Sequence, residues 1–212
     1  MGPFLLLAVL AQPACAAQAD APLAAPEERQ CIAPAANWRA VATEADRDRL
    51  RDWRDAWVEA LARARAAGHQ AELAREGVLL DPDMALENPA PPPGDYNCRV
   101  LKLGARQPSN LAFVAYPAFR CRIAASGEGM IFTKLTGSQR PLGRLYSDNE
   151  LRLIFLGTMQ LGDERRSYRY GIDRDRDLAG IVERIGDNRW RLVLPRPAYE
   201  SVLDVIELTP AR

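Results

Sequence analysis

Two short segments in the middle of the chain constrain its fold more than any other feature. Tyr96-Asn97-Cys98-Arg99-Val100 and Phe119-Arg120-Cys121-Arg122-Ile123 each run aromatic, polar, cysteine, arginine, β-branched. Core-type and polar residues alternate in both, the period of a strand buried on one face. The midpoint between the cysteines falls at Ser109 and Asn110, inside the turn-rich run Gln107-Pro108-Ser109-Asn110. The stretch predicts a hairpin with Cys98 opposite Cys121, Tyr96 opposite Ile123 and Val100 opposite Phe119. Directly opposed α-carbons lie about 4.5 to 5.5 Å apart, within reach of a disulfide, so a Cys98–Cys121 bridge is expected. Two features oppose that register. It sets Arg99 against Arg120, a like-charge pair that sheets disfavour, and Pro117 cannot donate to a ladder.

A disulfide needs an oxidising compartment. Residues 1–19 read as a secretory signal: Phe4 to Ala11 is a short apolar run, followed by small-x-small sites at Ala14-Cys15-Ala16 and Ala17-Gln18-Ala19. The rival reading is a lipoprotein anchored through Cys15. Either way the mature protein is expected in the periplasm or outside the cell, with no transmembrane segment. Cys31 would then be an odd third cysteine, outside the bridge.

Residues 20–37, rich in alanine and proline, read as a flexible lead-in. Residues 38–80 read as a helical hairpin. Its first helix spans Thr43 to Ala67, with Thr43 as cap and Leu50, Trp53, Trp57, Leu61 and Ala64 in one apolar stripe. A second, from about Gln70 to Glu76, stops at Gly77. Residues 81–94 form a proline-rich linker. Residues 95–210 then change to period two. Strands are predicted at Tyr96–Leu103, Leu111–Ile123 (bent at Pro117), Met130–Thr136, Pro141–Tyr146, Leu151–Thr158, Tyr168–Asp173, Ala179–Ile185, Arg189–Leu194 and Leu203–Leu208. The expected fold is α+β but mainly antiparallel β: the helical hairpin packed on an eight- to nine-stranded up-and-down barrel. A β-sandwich is the alternative.

The 28 basic and 28 acidic side chains cancel, and no basic run suggests nucleic acid. Only Lys102 and Lys134 are lysine; the other basic residues are arginine. No nucleophile elbow, phosphate loop or dinucleotide fingerprint is present. No catalytic residue, cofactor or metal is therefore assigned. The lone His69 reads as a surface or capping residue. Asp173-Arg174-Asp175-Arg176-Asp177 begins like a calcium loop but lacks its glycine and closing acid, and reads as a salt-bridged turn.

The run from Phe132 to Pro141 is the most functional in character. Lys134 shares a strand face with Met130 and Phe132. If that face points into a barrel, the ammonium must be paired, for instance with Glu183 or Asp204, or must hold an anion. Arg140 and Arg144 follow the turn, and Tyr146 and Trp190 are candidate aromatic lining. Lys134, Arg140, Arg144, Tyr146 and Trp190 are the candidate ligand-binding residues. Met130, Phe132, Phe155, Tyr168 and Tyr170 are further candidates to line the barrel interior or to fill it.

Tyr96-x-Cys98-Arg99, Lys102-Leu103-Gly104, Phe119-x-Cys121, Lys134-Leu135-Thr136-Gly137-Ser138-Gln139-Arg140, Phe155-Leu156-Gly157 and Trp190-Arg191 together resemble an uncharacterised family of exported bacterial proteins, domain of unknown function 4893. The likeness runs from Trp38 to Pro210 and implies no activity. The meander behind a helical lead is also similar to the calycin architecture of lipocalins, avidins and small barrel inhibitors. The leading expectation is a non-enzymatic binding module for a small amphiphile or an envelope protein. An envelope hydrolase is the first alternative, using carboxylates of the Asp173–Asp177 turn or a pair from Glu150, Asp163, Glu164 and Glu183. A structural or assembly factor is the second.

Overall fold

The computed structural model describes residues 37–127, 129–162 and 164–211. The leader, Cys15, Cys31 and Asp163 lie outside them. Among the described residues, four helices come first: α1 (Trp38–Val41), α2 (Glu44–Arg51), α3 (Trp53–Ala66) and α4 (Gln70–Glu76), followed by a 3₁₀ turn at Gly77–Leu80. Nine strands follow: β1 (Gly94–Ala105), β2 (Phe113–Ala115), β3 (Phe119–Ser126), β4 (Gly129–Lys134), β5 (Gln139–Asn149), β6 (Arg152–Leu161), β7 (Asp177–Gly186), β8 (Arg189–Pro195) and β9 (Ser201–Pro210). Each strand from β3 to β9 pairs antiparallel with the next, and β1 pairs with both β3 and β9. This closes an eight-stranded barrel and removes its edges. β2 lies outside the closed ring, paired with β1 at Leu101, Lys102 and Leu103. The sandwich alternative is excluded by the β1–β9 closure.

Three local expectations are corrected. The predicted helix from Thr43 to Ala67 breaks at Asp52, which leaves helical geometry at φ −93°, ψ 14°. Aspartate is a poor interior helix former because its side chain competes for the backbone. The break lets α2 lie on β7 while α3 lies on β1, β8 and β9. The predicted strand Leu111–Ile123 is two strands, interrupted at Pro117. Tyr168–Asp173 forms no strand. Instead, the Tyr170 hydroxyl accepts from Thr43 N at 3.0 Å and donates to Asp46 Oδ2 at 2.5 Å, which pins α2 to the barrel.

The disulfide forms in a different register from the one expected. Cys98 and Cys121 are bridged, with α-carbons 5.8 Å apart. Yet Cys98 lies opposite Phe119, and Tyr96 opposite Cys121. The slip is two residues, so both cysteines stay on the inner face. Arg120 now faces Asn97, while Arg99 faces Glu207 of β9 and bonds to its carboxylate at 2.9 Å. The like-charge conflict disappears.

Strand alternation creates two cores. Tyr96, Cys98, Cys121, Phe132, Phe155, Trp190, Leu192 and Ile206 point inward and fill the barrel. Phe132 meets Phe155 edge-on at 5.9 Å, and Tyr96 meets Trp190 edge-on at 6.0 Å. Leu101, Leu103, Ile154, Ile181, Val193 and Val205 point outward under the helices, against Trp53, Trp57 and Leu61. Here α3 presents Ala56, Ala60 and Ala64, all fully buried. A side chain on Gly104, whose φ is +71°, would begin 2.9 Å from the Ala60 α-carbon. Only glycine permits this helix–strand approach.

Candidate functional site

With the interior filled, the chamber that holds the buried lysines lies at one mouth. A cavity of about 140 Å³ is lined by Val100, Lys102, Tyr116, Phe119, Lys134, Ser138, Gln139 and Glu200. Both lysines of the chain are in it. They are 6% and 3% exposed, which is rare for lysine unless it is paired.

The two ammonium groups have opposite surroundings. Lys102 points inward from β1 to Asp204 of β9, its directly opposed partner, at 3.2 Å. Glu200 reaches the same nitrogen at 3.1 Å, and Ser201 donates to the far oxygen of Asp204 at 2.5 Å. Burial alone would lower Lys102, but the two carboxylates outweigh it and hold the ammonium above the ordinary lysine range. Among the described residues, Lys134 has no carboxylate. It donates to Thr136 O at 2.7 Å and Gln139 O at 2.9 Å, and its third side faces the Phe119 ring, 3.7 Å from the centroid. Burial pulls it down to about 8, helped by repulsion from Arg140 and Lys102.

The segment Lys134 to Arg140 is a cage around one nitrogen. Leu135 N bonds to Arg120 O at 2.8 Å, and Thr136 Oγ1 accepts from Arg120 N at 3.0 Å, which fixes the start of the loop on β3. Gly137 turns it at φ +90°. A Cβ there would meet Lys134 Nζ at 2.7 Å and the Phe119 ring at 2.9 Å. Arg140 ties the far side by donating to Gly137 O at 2.9 Å and Gly162 O at 2.7 Å. Gly137→Ala is expected to lower stability by about 1–3 kcal/mol from the strained backbone alone and to displace the Lys134 ammonium. A urea melt checks the first effect, and the Lys134 titration the second.

The sequence candidates disperse. Lys134 lines the chamber. Arg140 holds the loop behind it. Trp190 is buried in the filled interior, and its indole N–H has no partner among the described residues. Arg144, opposite Ile131 and Leu156, and Tyr146, opposite Ile154, lie on the outward face. Lys102, Phe119 and Glu200 line the chamber and lie outside the sequence candidates. The signal that marks Lys102 is composition: two lysines in the chain, one pocket.

Three of the acidic candidates are engaged elsewhere. Glu183, fully buried, pairs with Arg191 at 2.7 Å and Arg152 at 2.9 Å. Glu164 pairs with Arg176 at 3.0 Å. The buried Asp177 accepts from Gly171 N at 2.9 Å, while Arg49 donates to its carbonyl at 3.1 Å and reaches Asp46 at 3.2 Å. The Asp173–Asp177 turn thus clasps α2. His69 lies at the start of α4, 3.4 Å from Glu72.

The molecule is therefore a closed eight-stranded antiparallel barrel of calycin-like architecture, helix-covered on one side, with a lysine chamber at one mouth. The family model described as Domain of unknown function (DUF4893) matches residues 38–208, and the chain belongs to this family. No curated protein matches the chain, and no solved structure matches it.

Proposed function

We propose that the protein is an exported, non-enzymatic binding module whose lysine chamber takes a small amphiphile by its anionic end. One observation carries this reading. The chain's two lysines share a cavity, and one of them, caged and buried, has no acidic partner among the described residues. A buried charge without a counter-ion is costly, and an anion entering the chamber relieves that cost. The Phe119 face is a weak substitute for a full negative charge, and Phe119 is only partly buried. Val100, Tyr116 and Phe119 supply apolar surface for the first carbons of the ligand. The filled interior admits a head and a short chain, not a long acyl chain inside the barrel. The disulfide is consistent with an oxidising compartment, and no helix among the described residues is long and apolar enough to cross a membrane.

Titration calorimetry with hexanoate tests this reading. Hexanoate should bind and hexanol should not. Lys134→Met should weaken hexanoate by about tenfold or more, the worth of a charged hydrogen bond. Binding should also weaken as pH rises through about 8. Below that value Lys134 is ammonium and above it amine, while hexanoate stays ionised throughout. Equal affinity for hexanol, or for the Lys134→Met variant, would overturn the proposal.

A further inference from the structure

Glu200 separates the lysine chamber from a second, larger space. The outer vestibule, of about 540 Å³, is lined by Arg106, Gln107, Asn110, Leu161, Ala198 and Tyr199. Gln139 and Glu200 line both spaces. Accepting the chamber as an anion site, we propose that chamber and vestibule are two halves of one binding site. Its ligand is then an elongated acid whose carboxylate, facing Lys134, also takes the place of Glu200 on Lys102 while its polar far end lies in the vestibule.

Three observations support this. Lys102 has two carboxylate partners, the buried Asp204 at 3.2 Å and Glu200 at 3.1 Å, so it keeps one when the other leaves. The two acids differ in commitment. Asp204 is locked by Ser201, whereas the Glu200 side chain is 49% exposed, so moving it costs little. Glu200 also sits in a left-handed conformation at φ +61°, four residues after Arg196 at φ +46°. Non-glycine residues rarely adopt this backbone, and it clusters at ligand clamps. Its carbonyl is held by Arg106 N at 3.0 Å and Asn110 Nδ2 at 2.8 Å, both vestibule residues. The backbone is therefore fixed, and the carboxylate alone swings. The vestibule lining is rich in amide, guanidinium and phenol groups, which suits a polar or charged far end such as the second carboxylate of suberate.

The test uses two acids, hexanoate and the longer suberate, and two variants. Glu200→Gln removes the competing charge. Glu200→Asp keeps the charge but shortens the arm, so the carboxylate no longer reaches Lys102. Both variants should bind hexanoate about fivefold more tightly than wild type, and both should gain more for suberate. If Glu200→Asp behaves as wild type while Glu200→Gln gains, the effect is general electrostatics and the displacement is wrong. If hexanoate binds through Lys134 but neither variant changes hexanoate or suberate, the two-part site fails and the chamber reading stands. If no form binds either acid, both fail.

Discussion

Replacing Arg191 with methionine is expected to destabilise the fold by about 3–5 kcal/mol, the usual cost of breaking a buried ion pair from one side. Arg191 is fully buried on the outward face of β8. It pairs with the equally buried Glu183 at 2.7 Å. It also donates to three carbonyls after α4: Val78 and Leu79 at 3.1 Å and Asp81 at 2.7 Å. Its guanidinium lies 4.7 Å from the centre of the Trp57 ring. One side chain thus ties the barrel wall, the 3₁₀ turn and α3 together. Methionine fills similar volume but leaves three carbonyls with a lost donor and Glu183 with Arg152 alone. Glu183→Leu added to Arg191→Met should recover part of the loss, because removing both charges deletes the desolvation cost as well. Urea denaturation of the two single variants and the double gives the cycle. A single variant within about 1 kcal/mol of wild type would show that the pair does not hold the helices to the barrel.

Changing Cys98 and Cys121 together to alanine is expected to cost about 3.4 kcal/mol on the chain-entropy model, for a bridge across a sequence separation of 23. The bridge is inside the barrel and shielded from solvent, with both cysteines at most 1% exposed. Reductant therefore reaches it only after unfolding, so the alanine variant is the clean comparison. The loss should appear as a lower urea midpoint with an unchanged barrel circular dichroism spectrum. A double variant as stable as wild type would contradict the account of β1 and β3 as a stapled pair.

The period-two pattern after residue 95 was sufficient to read the barrel, because inward and outward positions alternate without a break along most strands. The register of β1 and β3 was not readable. A slip of two residues keeps every side chain on its own face, so the pattern is blind to it. The position of Pro117 and the Arg99–Arg120 conflict marked the place without giving the size of the slip. Tyr168 to Asp173 alternates like a strand, yet Tyr170 is taken by Thr43 and Asp46. That partner is more than a hundred residues away and leaves no local trace. Asp52 shows the same limit within a helix, where tertiary docking chose the break. At the site, Lys134 and its inward face were legible from alternation with Met130 and Phe132. Its sharing of one cavity with Lys102 was not, since β1 and β4 are separated by β3, whose register against β1 the pattern leaves open. Arg144 and Tyr146 follow Lys134 closely in sequence but fall on outward positions.

The titration of Lys134 itself reports most directly on whether the chamber holds an unpaired ammonium. The chain has two lysines, so isotope-labelled lysine yields two side-chain signals, assigned by Lys134→Met. Without ligand, Lys134 should titrate near 8 while Lys102 remains ammonium above the ordinary lysine range. Saturating hexanoate should raise the Lys134 value, because a bound carboxylate favours the charged form. A Lys134 that titrates near the ordinary value of about 10.4, or that ignores hexanoate, would contradict the account.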